Sequence, residues 1–552
     1  MRVCLVNPPT TADGESSYFP FALLALGAQL KASGLACDVV DLDLLSRQRR
    51  LGPHRGGLPR AVARVAATGA DVVGITTICS NFPIALLIAK AVRAALPAVR
   101  IVLGGPHVSS VARETMDAYP FVDAVVVGEG EHTLVELCGS GFDPARLAHV
   151  SGLVFRQGET VVDTGPRPLV TDLDTLPFPD YSLVRLKDYG ALPGVDFAPS
   201  VEAGRGCPFQ CTFCSTKSMW ARKFRIKSPA RLLAEMERLH ASSGYSYFPT
   251  IHDNFTTSKS YVHELCEYFA VHNRHGLKWG ASSRTDCLDE TRLDQLARAG
   301  CGDLFFGVES GSAGMQKRIR KGLNLDLFEP ILDSMVARGI AATTSFILGF
   351  PEETEQDVDE TILAGFRYKA AGSGRVFFTQ LVPLPGTELT LRYFDQLCLS
   401  GEVTSISRHL RGGLQASAQR RLVRTDKRLF SSFYRFPTPH LPNVHVEHLA
   451  FFYKYCLAYE LDLTRDLFTK VGVGPLDLFR RWRVFMTAHH PGLAAYDSAW
   501  ESMSRFRTFC RRVFRVGPGG RHPSSGITGR GTMARTPARR PGRGASGCRG
   551  TC

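Results

Sequence analysis

The sequence contains no apolar run near the roughly 18 residues that a membrane-spanning helix requires. Its first residues also hold too short an apolar stretch for a secretory signal peptide. We therefore expect a cytoplasmic protein without a membrane partner, whose 15 cysteines are thiols rather than a disulfide framework. No internal repeat is evident, so no repeat architecture is expected.

Lysine and acidic residues are absent from residues 502–552, which hold twelve arginines. These arginines account for most of the formal net charge of +14. A basic isoelectric point is then a poor indicator of nucleic-acid binding, and no nucleic-acid partner is expected. Residues 511–552 are predicted to be a disordered Arg/Gly-rich tail, since they carry too few apolar side chains to fold. The tail is either a solvated appendage or a segment that binds an anionic partner.

Cys207, Cys211 and Cys214 lie in one short segment, with gaps of three and two residues. Three thiolates at this spacing fit a loop around a [4Fe-4S] cluster and leave one iron open. A catalytic centre keeps such an open position for a small molecule. A zinc knuckle or three unrelated core cysteines are the alternatives, but zinc prefers four ligands, and no fourth cysteine or histidine follows soon after Cys214.

The CxxxCxxC spacing, with Phe213 before the last cysteine, resembles the radical S-adenosylmethionine (SAM) enzymes. The resemblance implies that SAM chelates the open iron through its amino and carboxylate groups. It also implies that an electron from the cluster cleaves SAM to a 5′-deoxyadenosyl radical. A low-potential electron donor is therefore an expected partner.

Later segments resemble the barrel of the same family. An apolar run from Leu304 ends at Glu309, as a buried parallel strand ending at a site does. The segment from Ser345 to Glu352 resembles the family's GxIxGxxE pattern, with a serine at the first glycine. The resemblance implies SAM contacts from Phe213, Glu309, Ser345, Ile347, Gly349 and Glu352. Arg284 either clamps the SAM carboxylate or forms a structural salt bridge.

Helical patterns separate these strands, and six strand-helix units fit residues 196–395. We expect a partial TIM barrel, an open (β/α)6 arrangement with its chemistry at the carboxyl ends of the strands. His252 stands where family members often carry an acid, and we expect it to be structural.

The first 150 residues alternate short β-rich runs with helical stretches, which predicts a doubly wound parallel sheet. Ligands of such sheets bind beyond the carboxyl ends of the strands. These ends resemble the cobalamin-binding domain of one radical SAM subfamily. A response-regulator-like or nucleotide-binding sheet is the alternative, although no GxGxxG follows the first strand. The resemblance implies cobalamin contacts from Asn7, Thr76, Thr77, Ser80, Gly104, Gly105, His107, Gly128 and Glu129.

The chain also lacks the Asp-x-His element with which cobalamin mutases ligate cobalt. A bound corrin should therefore lack that histidine ligand. His107 is expected to contact the corrin edge or nucleotide tail, with cobalt ligation as the alternative.

The predicted fold class is α/β. An amino-terminal doubly wound cobalamin-binding sheet (1–150) is followed by a linker (151–195) and a partial (β/α)6 radical SAM barrel (196–395). A small helical carboxyl-terminal domain (396–510) precedes the tail (511–552). A chain of 552 residues is long enough for more than one core.

Cobalamin together with a radical generator resembles the cobalamin-dependent radical SAM methyltransferases. We expect methyl transfer from SAM, through methylcobalamin, to an unactivated carbon or a phosphinate phosphorus of a natural-product intermediate. Segments around the cluster, with Thr76 to Asn81, resemble enzymes that methylate phosphonate and phosphinate antibiotic intermediates. The basic residues after the cluster motif either hold an anionic small-molecule substrate or form a solvated turn; they are Lys217, Arg222, Lys223 and Arg225.

Three other functions are alternatives. A cobalamin-dependent cyclase or rearrangement enzyme would share almost every motif. A nucleic-acid modifier would show a second cysteine set and a carboxyl-terminal RNA-binding barrel, and the sequence shows neither. A cofactor sensor would not need the SAM-binding segments.

Overall fold

Two large sheets organise the described part of the chain, one of seven strands and one of six. The structure is a computed structural model that describes residues 1–10, 19–52, 56–190, 197–399, 406, 410, 413–442, 444–491 and 503–514. Residues 1–503 form one compact unit. The second unit begins at Ser504, and its described part contains the helix Phe506–Phe514.

The first sheet has the strand order β2-β1-β3-β4-β5-β6-β7. Its strands are β1 (Arg2–Asn7), β2 (Ala36–Asp41), β3 (Val72–Thr76), β4 (Arg100–Gly104), β5 (Ala124–Val126), β6 (Leu153–Gln157) and β7 (Thr160–Asp163). Strands β1 to β5 run parallel, and β6 and β7 are antiparallel additions. The helices between them are α1 (Phe21–Ala32), α2 (Leu42–Arg47), α3 (Gly57–Ala66), α4 (Phe82–Ala95), α5 (Pro106–Ser109), α6 (Ala112–Ala118), α7 (Gly130–Gly139) and α8 (Pro144–Leu147).

Both faces of this sheet are buried. Along β1, Cys4 and Val6 belong to one hydrophobic cluster, whereas Val3 and Leu5 belong to another. Successive residues of a strand point to opposite faces, so each face carries its own core. The doubly wound sheet predicted from the sequence is confirmed.

The segment predicted as a linker from residue 151 begins differently. Residues 153–163 form the hairpin β6–β7, in which Phe155 is fully buried and Gly158 makes the turn with φ +59°. The first sheet thus extends past residue 150, because the hairpin completes its edge. The helix α9 (Leu186–Gly190) follows, and residues 191–196 lie outside the described part.

The second sheet is parallel, with the order β15-β14-β13-β12-β11-β8. Its strands are β8 (Val201–Glu202), β11 (Tyr247–Ile251), β12 (Lys278–Ser283), β13 (Cys301–Glu309), β14 (Ala341–Leu348) and β15 (Ser373–Gln380), and a short ribbon joins β9 (Gly204–Arg205) to β10 (Arg225–Ile226). The accompanying helices are α10 (Thr216–Trp220), α11 (Pro229–Ser243), α12 (Lys259–His272), α13 (Glu290–Arg298), α14 (Ala313–Arg318), α15 (Phe328–Ala337) and α16 (Glu355–Ala370). Six parallel strands alternating with helices confirm the partial barrel.

Helices continue after the barrel, as predicted. They are α17 (Glu388–Arg392), α18 (Ala416–Leu422), α19 (Val446–Tyr459), α20 (Leu461–Asp466) and α21 (Pro475–His489), and α22 is the helix Phe506–Phe514. Tyr453 of α19 packs its ring on Phe378 of β15, which attaches this layer to the barrel. The tail predicted for residues 511–552 starts too early, because residues 511–514 form the end of α22. Its remaining residues, 515–552, lie outside the described part of the chain. Among the described helices, none has the length and apolarity to span a bilayer.

Candidate active site

A cavity of about 550 Å³ separates the carboxyl edge of the first sheet from the cysteine loop of the barrel. The sheet side of its wall includes Asn7, Thr76, Gly104, Gly105, Gly128 and Glu129. The barrel side includes Cys214, Thr216, Trp220, Ile251 and Asp253. Both parallel sheets therefore present their carboxyl ends, where such folds bind ligands, to one space.

Two glycines leave the sheet side of this cavity open. Gly105 has φ +101°, and a Cβ there would lie 2.6 Å from the carbonyl oxygen of Thr77. Gly128 has φ +77°, and a Cβ there would meet nothing within 4 Å. Glycine allows both this backbone conformation and the close approach of a broad ligand. The edge therefore fits a large planar cofactor such as a corrin.

Three of the residues predicted to contact cobalamin do not line the cavity. Thr77 is fully buried and donates its hydroxyl hydrogen to the Gly104 carbonyl at 2.9 Å, which fixes the turn beside the cavity. Ser80 is half-buried outside the wall. His107, which the sequence places at cobalamin, lies in the core instead. Its Nε2 lies 3.0 Å from the Leu429 carbonyl oxygen, and its ring centroid lies 4.3 Å from that of Phe82.

The position of His107 in the core has a chemical consequence. It is only 3% exposed, and burial lowers the pKa of its imidazole to about 4. A neutral ring held between Phe82 and the Leu429 carbonyl is buried in the core and is not part of the cavity wall.

The three motif cysteines are free, half-buried thiols on one loop. Burial, with a smaller contribution from the neighbouring Cys214 and Cys211 thiols, raises the pKa of Cys207 to about 11. Burial also raises the pKa of Cys211. The loop is tied to the barrel because the amide of Thr212 donates to the Ile319 carbonyl at 3.0 Å.

The donor set fits an iron-sulfur cluster. In the described residues, no three Cys, His, Asp or Glu side chains are gathered into a site for a metal ion. The residues nevertheless fit a cluster because one loop carries three cysteines that form no disulfide. Cysteine thiolates hold such clusters, and each thiolate binds a separate iron. Phe213, between the second and third cysteines, packs edge-on against Phe350 with ring centroids 5.7 Å apart.

Glu309 and Arg284 lie beside this loop. Glu309 has φ +68° at a register shift ending β13, and its Oε1 accepts a hydrogen bond from Lys321 at 3.2 Å. A non-glycine residue held in this region is strained, and such strain clusters at functional sites. Arg284 stacks 3.7 Å above the ring of Phe209.

The guanidinium of Arg284 uses some of its nitrogens in a structural ion pair and leaves one without a hydrogen-bond partner. Its Nε and Nη2 donate to the Asp286 carboxylate at 3.0 and 2.7 Å. Its Nη1 is buried without a hydrogen-bond partner. A buried unsatisfied donor is costly, so Nη1 is suited to an anionic ligand group such as the SAM carboxylate.

The glycine-containing segment at the end of β14 departs from the prediction at one position. Ser345 and Ile347 are half-buried on alternate positions of β14, and Ile347 packs in the same hydrophobic cluster as Phe213. Gly349 has φ +93° and donates its amide to Glu353 at 2.6 Å.

Glu352, by contrast, is at the surface. Its carboxylate accepts from the Tyr393 hydroxyl at 3.0 Å and from Arg392 at 3.4 Å. The acid that turns inward is Glu353, which is fully buried and whose pKa burial raises to about 8. Sequence reasoning missed Glu353 because the pattern specifies only the preceding position.

A buried charge network forms the polar end of the cavity wall. Arg205 contacts Glu129 at 2.7 Å, Glu131 at 2.6 Å and Glu202 at 2.8 Å. Arg225 contacts Glu129 at 2.8 Å. The ring of Trp220 lies 5.8 Å from the guanidinium carbon of Arg205 and 5.6 Å from that of Arg225.

This network changes the interpretation of the basic segment after the cysteines. Arg225 is buried rather than solvated: its Nη1 is engaged by Glu129, and within the described residues its Nε and Nη2 have no hydrogen-bond partner. Lys217 and Lys223 are exposed, and Arg222 is half-buried. Sequence reasoning missed Arg205 and Glu131. They are 74 residues apart, so no local sequence pattern predicts their ion pair.

His252 is buried and structural, as predicted. Its Nδ1 accepts a hydrogen bond from the Asn254 amide at 2.9 Å, and desolvation lowers the pKa of its ring to about 4. Its neighbour Asp253 accepts from the Gly206 amide at 2.8 Å and so supports the start of the cysteine loop.

Comparison with known proteins matches both halves of the site. Residues 10–138 match the B12 binding domain, and residues 201–364 match the Radical SAM superfamily. An uncharacterised methyltransferase of Pyrococcus horikoshii is 34% identical over 402 residues, which are 70% of this chain and 82% of the relative. The cytidylyl-2-hydroxyethylphosphonate methyltransferase of Streptomyces wedmorensis is 27% identical over 442 residues, covering 70% of this chain and 80% of the relative. The anaerobic magnesium-protoporphyrin IX monomethyl ester cyclase of Synechocystis is 28% identical over 364 residues, covering 65% and 70%.

Two solved structures share the fold. The radical SAM methyltransferase TsrM from Kitasatospora setae, with cobalamin and a [4Fe-4S] cluster bound, superimposes with a TM-score of 0.63 at 20% identity, over 83% of this chain and 88% of that chain. The cobalamin-dependent SAM radical enzyme OxsB superimposes with a TM-score of 0.60 at 15% identity, over 93% and 80%. The order of the two domain matches and the extent of the Pyrococcus relative identify the family. This chain therefore belongs to the cobalamin-dependent radical SAM methyltransferases, and its cofactors are a [4Fe-4S] cluster, SAM and cobalamin.

Proposed function

We propose that this enzyme methylates an unactivated carbon or a phosphinate phosphorus of a phosphonate or phosphinate intermediate in natural-product biosynthesis. The observation that carries the proposal is the shared cavity, which brings the glycine-lined sheet edge to the cysteine loop. The named Streptomyces relative, which acts on a phosphonate, favours this substrate class. The acceptor would be a small molecule.

The cofactors supply the reactive groups: when bound, the cluster delivers an electron that cleaves SAM, and cobalamin carries the methyl group. The chain would hold the cluster through Cys207, Cys211 and Cys214. A low-potential electron donor would be needed to reduce it. The cavity wall would exclude water from the space above the cluster, because most of it is apolar.

Binding of SAM would fall to the ends of the barrel strands. Arg284 would direct its unpaired Nη1 at the carboxylate, and the strained Glu309 would accept hydrogen bonds from the amino group. Ile347 and Phe213 would supply the apolar contacts, with Ser345 and Gly349 leaving room beside them. We do not assign Glu352 to SAM, because its carboxylate is taken up at the surface.

Cobalamin would be held by Asn7, Thr76, Gly104, Gly105, Gly128 and Glu129, all of which line the cavity. Asn7 is fixed because its Nδ2 donates to Asp41 at 3.0 Å. Glu129 is fixed by Arg205 and by the amide of Val170, which donates to it at 2.7 Å. Fixed polar groups around an otherwise apolar cavity favour one orientation of the bound corrin.

An acceptor screen tests the substrate class. Anaerobically reconstituted enzyme, supplied with cobalamin, a strong reductant and trideuteromethyl SAM, is incubated with phosphonates, phosphinates and their neutral esters. Mass spectrometry should find the deuterated methyl group in a phosphonate or phosphinate product, together with S-adenosylhomocysteine and 5′-deoxyadenosine. Labelling of neutral acceptors alone would contradict the proposed class.

A cyclase or rearrangement is the second candidate, favoured by the similarity to the Synechocystis cyclase. That reaction would yield 5′-deoxyadenosine and a product of altered ring structure without the deuterated methyl group. The same screen therefore separates the two functions.

A further inference from the structure

The inner face of the barrel is defined by alternation along its strands. On β15, the ring of Phe378 packs against Tyr453 of α19, so even-numbered positions face the helices. Successive side chains point to opposite sides, and Arg375, Phe377 and Thr379 therefore face the lumen.

Strand β13 follows the same rule. Phe306 packs against Phe328 of α15 with centroids 6.0 Å apart, so Asp303 and Phe305 face the lumen. Asp303 accepts a hydrogen bond from the Tyr247 hydroxyl of β11. The two side chains meet over Gly280 of β12, where a Cβ would lie 2.2 Å from Asp303 Oδ2.

One row of side chains across the lumen combines an aromatic ring, hydroxyl groups and a cation. The register aligns Ser282 with Phe305, Phe305 with Thr343, and Thr343 with Arg375. Phe305 is 41% exposed although it lies in a central strand of the sheet. An aromatic ring that stays exposed on a central strand indicates space for a ligand, because in a closed core other side chains would have packed against the ring.

Arg375 is the cation of this row. It is exposed, and within the described part of the chain its guanidinium has neither an ion pair nor a hydrogen-bond acceptor. Its charge nevertheless acts on Tyr247, where it opposes the rise in the pKa of that phenol caused mainly by burial. Since β11 and β15 are separated by three strands, this interaction crosses the lumen.

The lumen also leads to the cofactor cavity. Ile251 lies four residues after Tyr247 on β11, so the two side chains point to the same face of the strand. Ile251 is 40% exposed and lines the cavity. Arg375 and Thr379 are four residues apart on β15, a rise of about 13 Å. A ligand held at Arg375 must therefore be elongated to reach the reacting end of the barrel.

We propose that the barrel lumen binds an elongated substrate whose anionic end pairs with Arg375 and whose body lies against Phe305 and Phe377. This inference deepens the proposed function and rests on it. A guanidinium binds phosphonate or carboxylate groups through two parallel hydrogen bonds. Unlike Arg225, whose Nη1 is paired with Glu129, Arg375 has no ion pair within the described residues.

The test uses hexylphosphonate, its neutral diethyl ester and heptanoate as probes of the reconstituted holoenzyme. Ligand-observed NMR titrations compare wild type with Arg375→Ala, Arg375→Lys and the control Arg367→Ala. Arg367 is an exposed arginine on α16 that pairs with Glu329 at 3.1 Å. Loss of a charge-assisted pair should weaken hexylphosphonate binding about tenfold to a hundredfold in Arg375→Ala.

Arg375→Lys should lose less affinity, Arg367→Ala none, and the ester should bind equally to all four proteins. Equal hexylphosphonate affinity in wild type and Arg375→Ala would overturn the proposal, as would an ester that binds wild type as tightly as the anion. If Arg375→Ala fails to retain its cofactors, the proposal is tested instead by modifying the arginines of the wild-type protein with phenylglyoxal. Hexylphosphonate should then protect Arg375 but not Arg367, and absence of protection would overturn the proposal.

Failure of the proposed function has a different signature. Equal binding of heptanoate would support the anion site and contradict the preference for phosphorus acids. Wild type that binds hexylphosphonate through Arg375 but forms no S-adenosylhomocysteine from SAM would support the site and contradict methyl transfer.

Discussion

Arg205 Nη1 lies 2.7 Å from Glu129 Oε1, and this buried contact joins the strand before the cysteine loop to the loop after β5. Their side chains are only 6% and 3% exposed. Desolvation of such charges is costly and is offset only while the partners stay paired. The contact therefore holds the cobalamin side and the cluster side of the cavity in one arrangement.

Arg205→Met should destabilise the protein strongly, because it leaves Glu131 and Glu202 buried without their shared partner. Breaking a buried pair on one side typically costs about 3–5 kcal/mol of unfolding free energy. Urea unfolding of the variant should show a loss of this size. The control Arg367→Met removes an exposed ion pair and should cost about 1 kcal/mol or less. Equal losses in the two variants would contradict a structural role for the network.

Cys211→Ala should abolish the cluster but leave cobalamin bound. Cys211 lies on the barrel loop and is not part of the cavity wall, whose sheet side carries the proposed corrin contacts. Iron and sulfide analysis should show loss of the cluster, and 5′-deoxyadenosine should no longer form. The absorbance of bound cobalamin should persist. Cys398→Ala, which removes an exposed thiol, should change neither, and loss of cobalamin in folded Cys211→Ala would contradict the division of the site.

Glu353 should make stability depend on pH. Burial raises its folded-state pKa from 4.5 to about 8, so between these values the folded protein holds a proton that the unfolded chain has released. Its contribution to stability is therefore lost as pH rises through this window. Glu353→Gln keeps a neutral acceptor for the Gly349 amide and should remove the effect.

Melting temperatures near the two ends of that window test this prediction. Glu353→Gln should melt above wild type at the alkaline end and close to wild type at the acidic end. Glu352→Gln, which changes the neighbouring exposed side chain, should not reproduce this difference. A constant offset for Glu353→Gln across the window would show that the carboxyl group does not titrate there.

The local patterns predicted most of the fold. The cysteine spacing and the alternation of strands with helices specify a loop and two parallel sheets, because these features depend on neighbouring residues. The hairpin β6–β7 does not follow from the local sequence, which predicts a linker over its two short strands. It becomes a sheet edge only through pairing with β5.

Side-chain direction was harder to predict. Glu352 and Glu353 are adjacent carboxylates, and the turn at Gly349 decides which of them is buried. His107 was expected at the corrin, but its partner Leu429 is 322 residues away. Contacts of this range leave no local signature, so the tertiary structure was needed to place these residues.

Methyl loading of cobalamin tests the central claim most directly. Wild-type enzyme is reconstituted anaerobically and incubated with cobalamin, a low-potential reductant and trideuteromethyl SAM in the absence of an acceptor. Mass spectrometry should find deuterated methylcobalamin and an equal amount of S-adenosylhomocysteine. Formation of 5′-deoxyadenosine while cobalamin stays unlabelled would contradict the account and favour radical cyclisation or rearrangement.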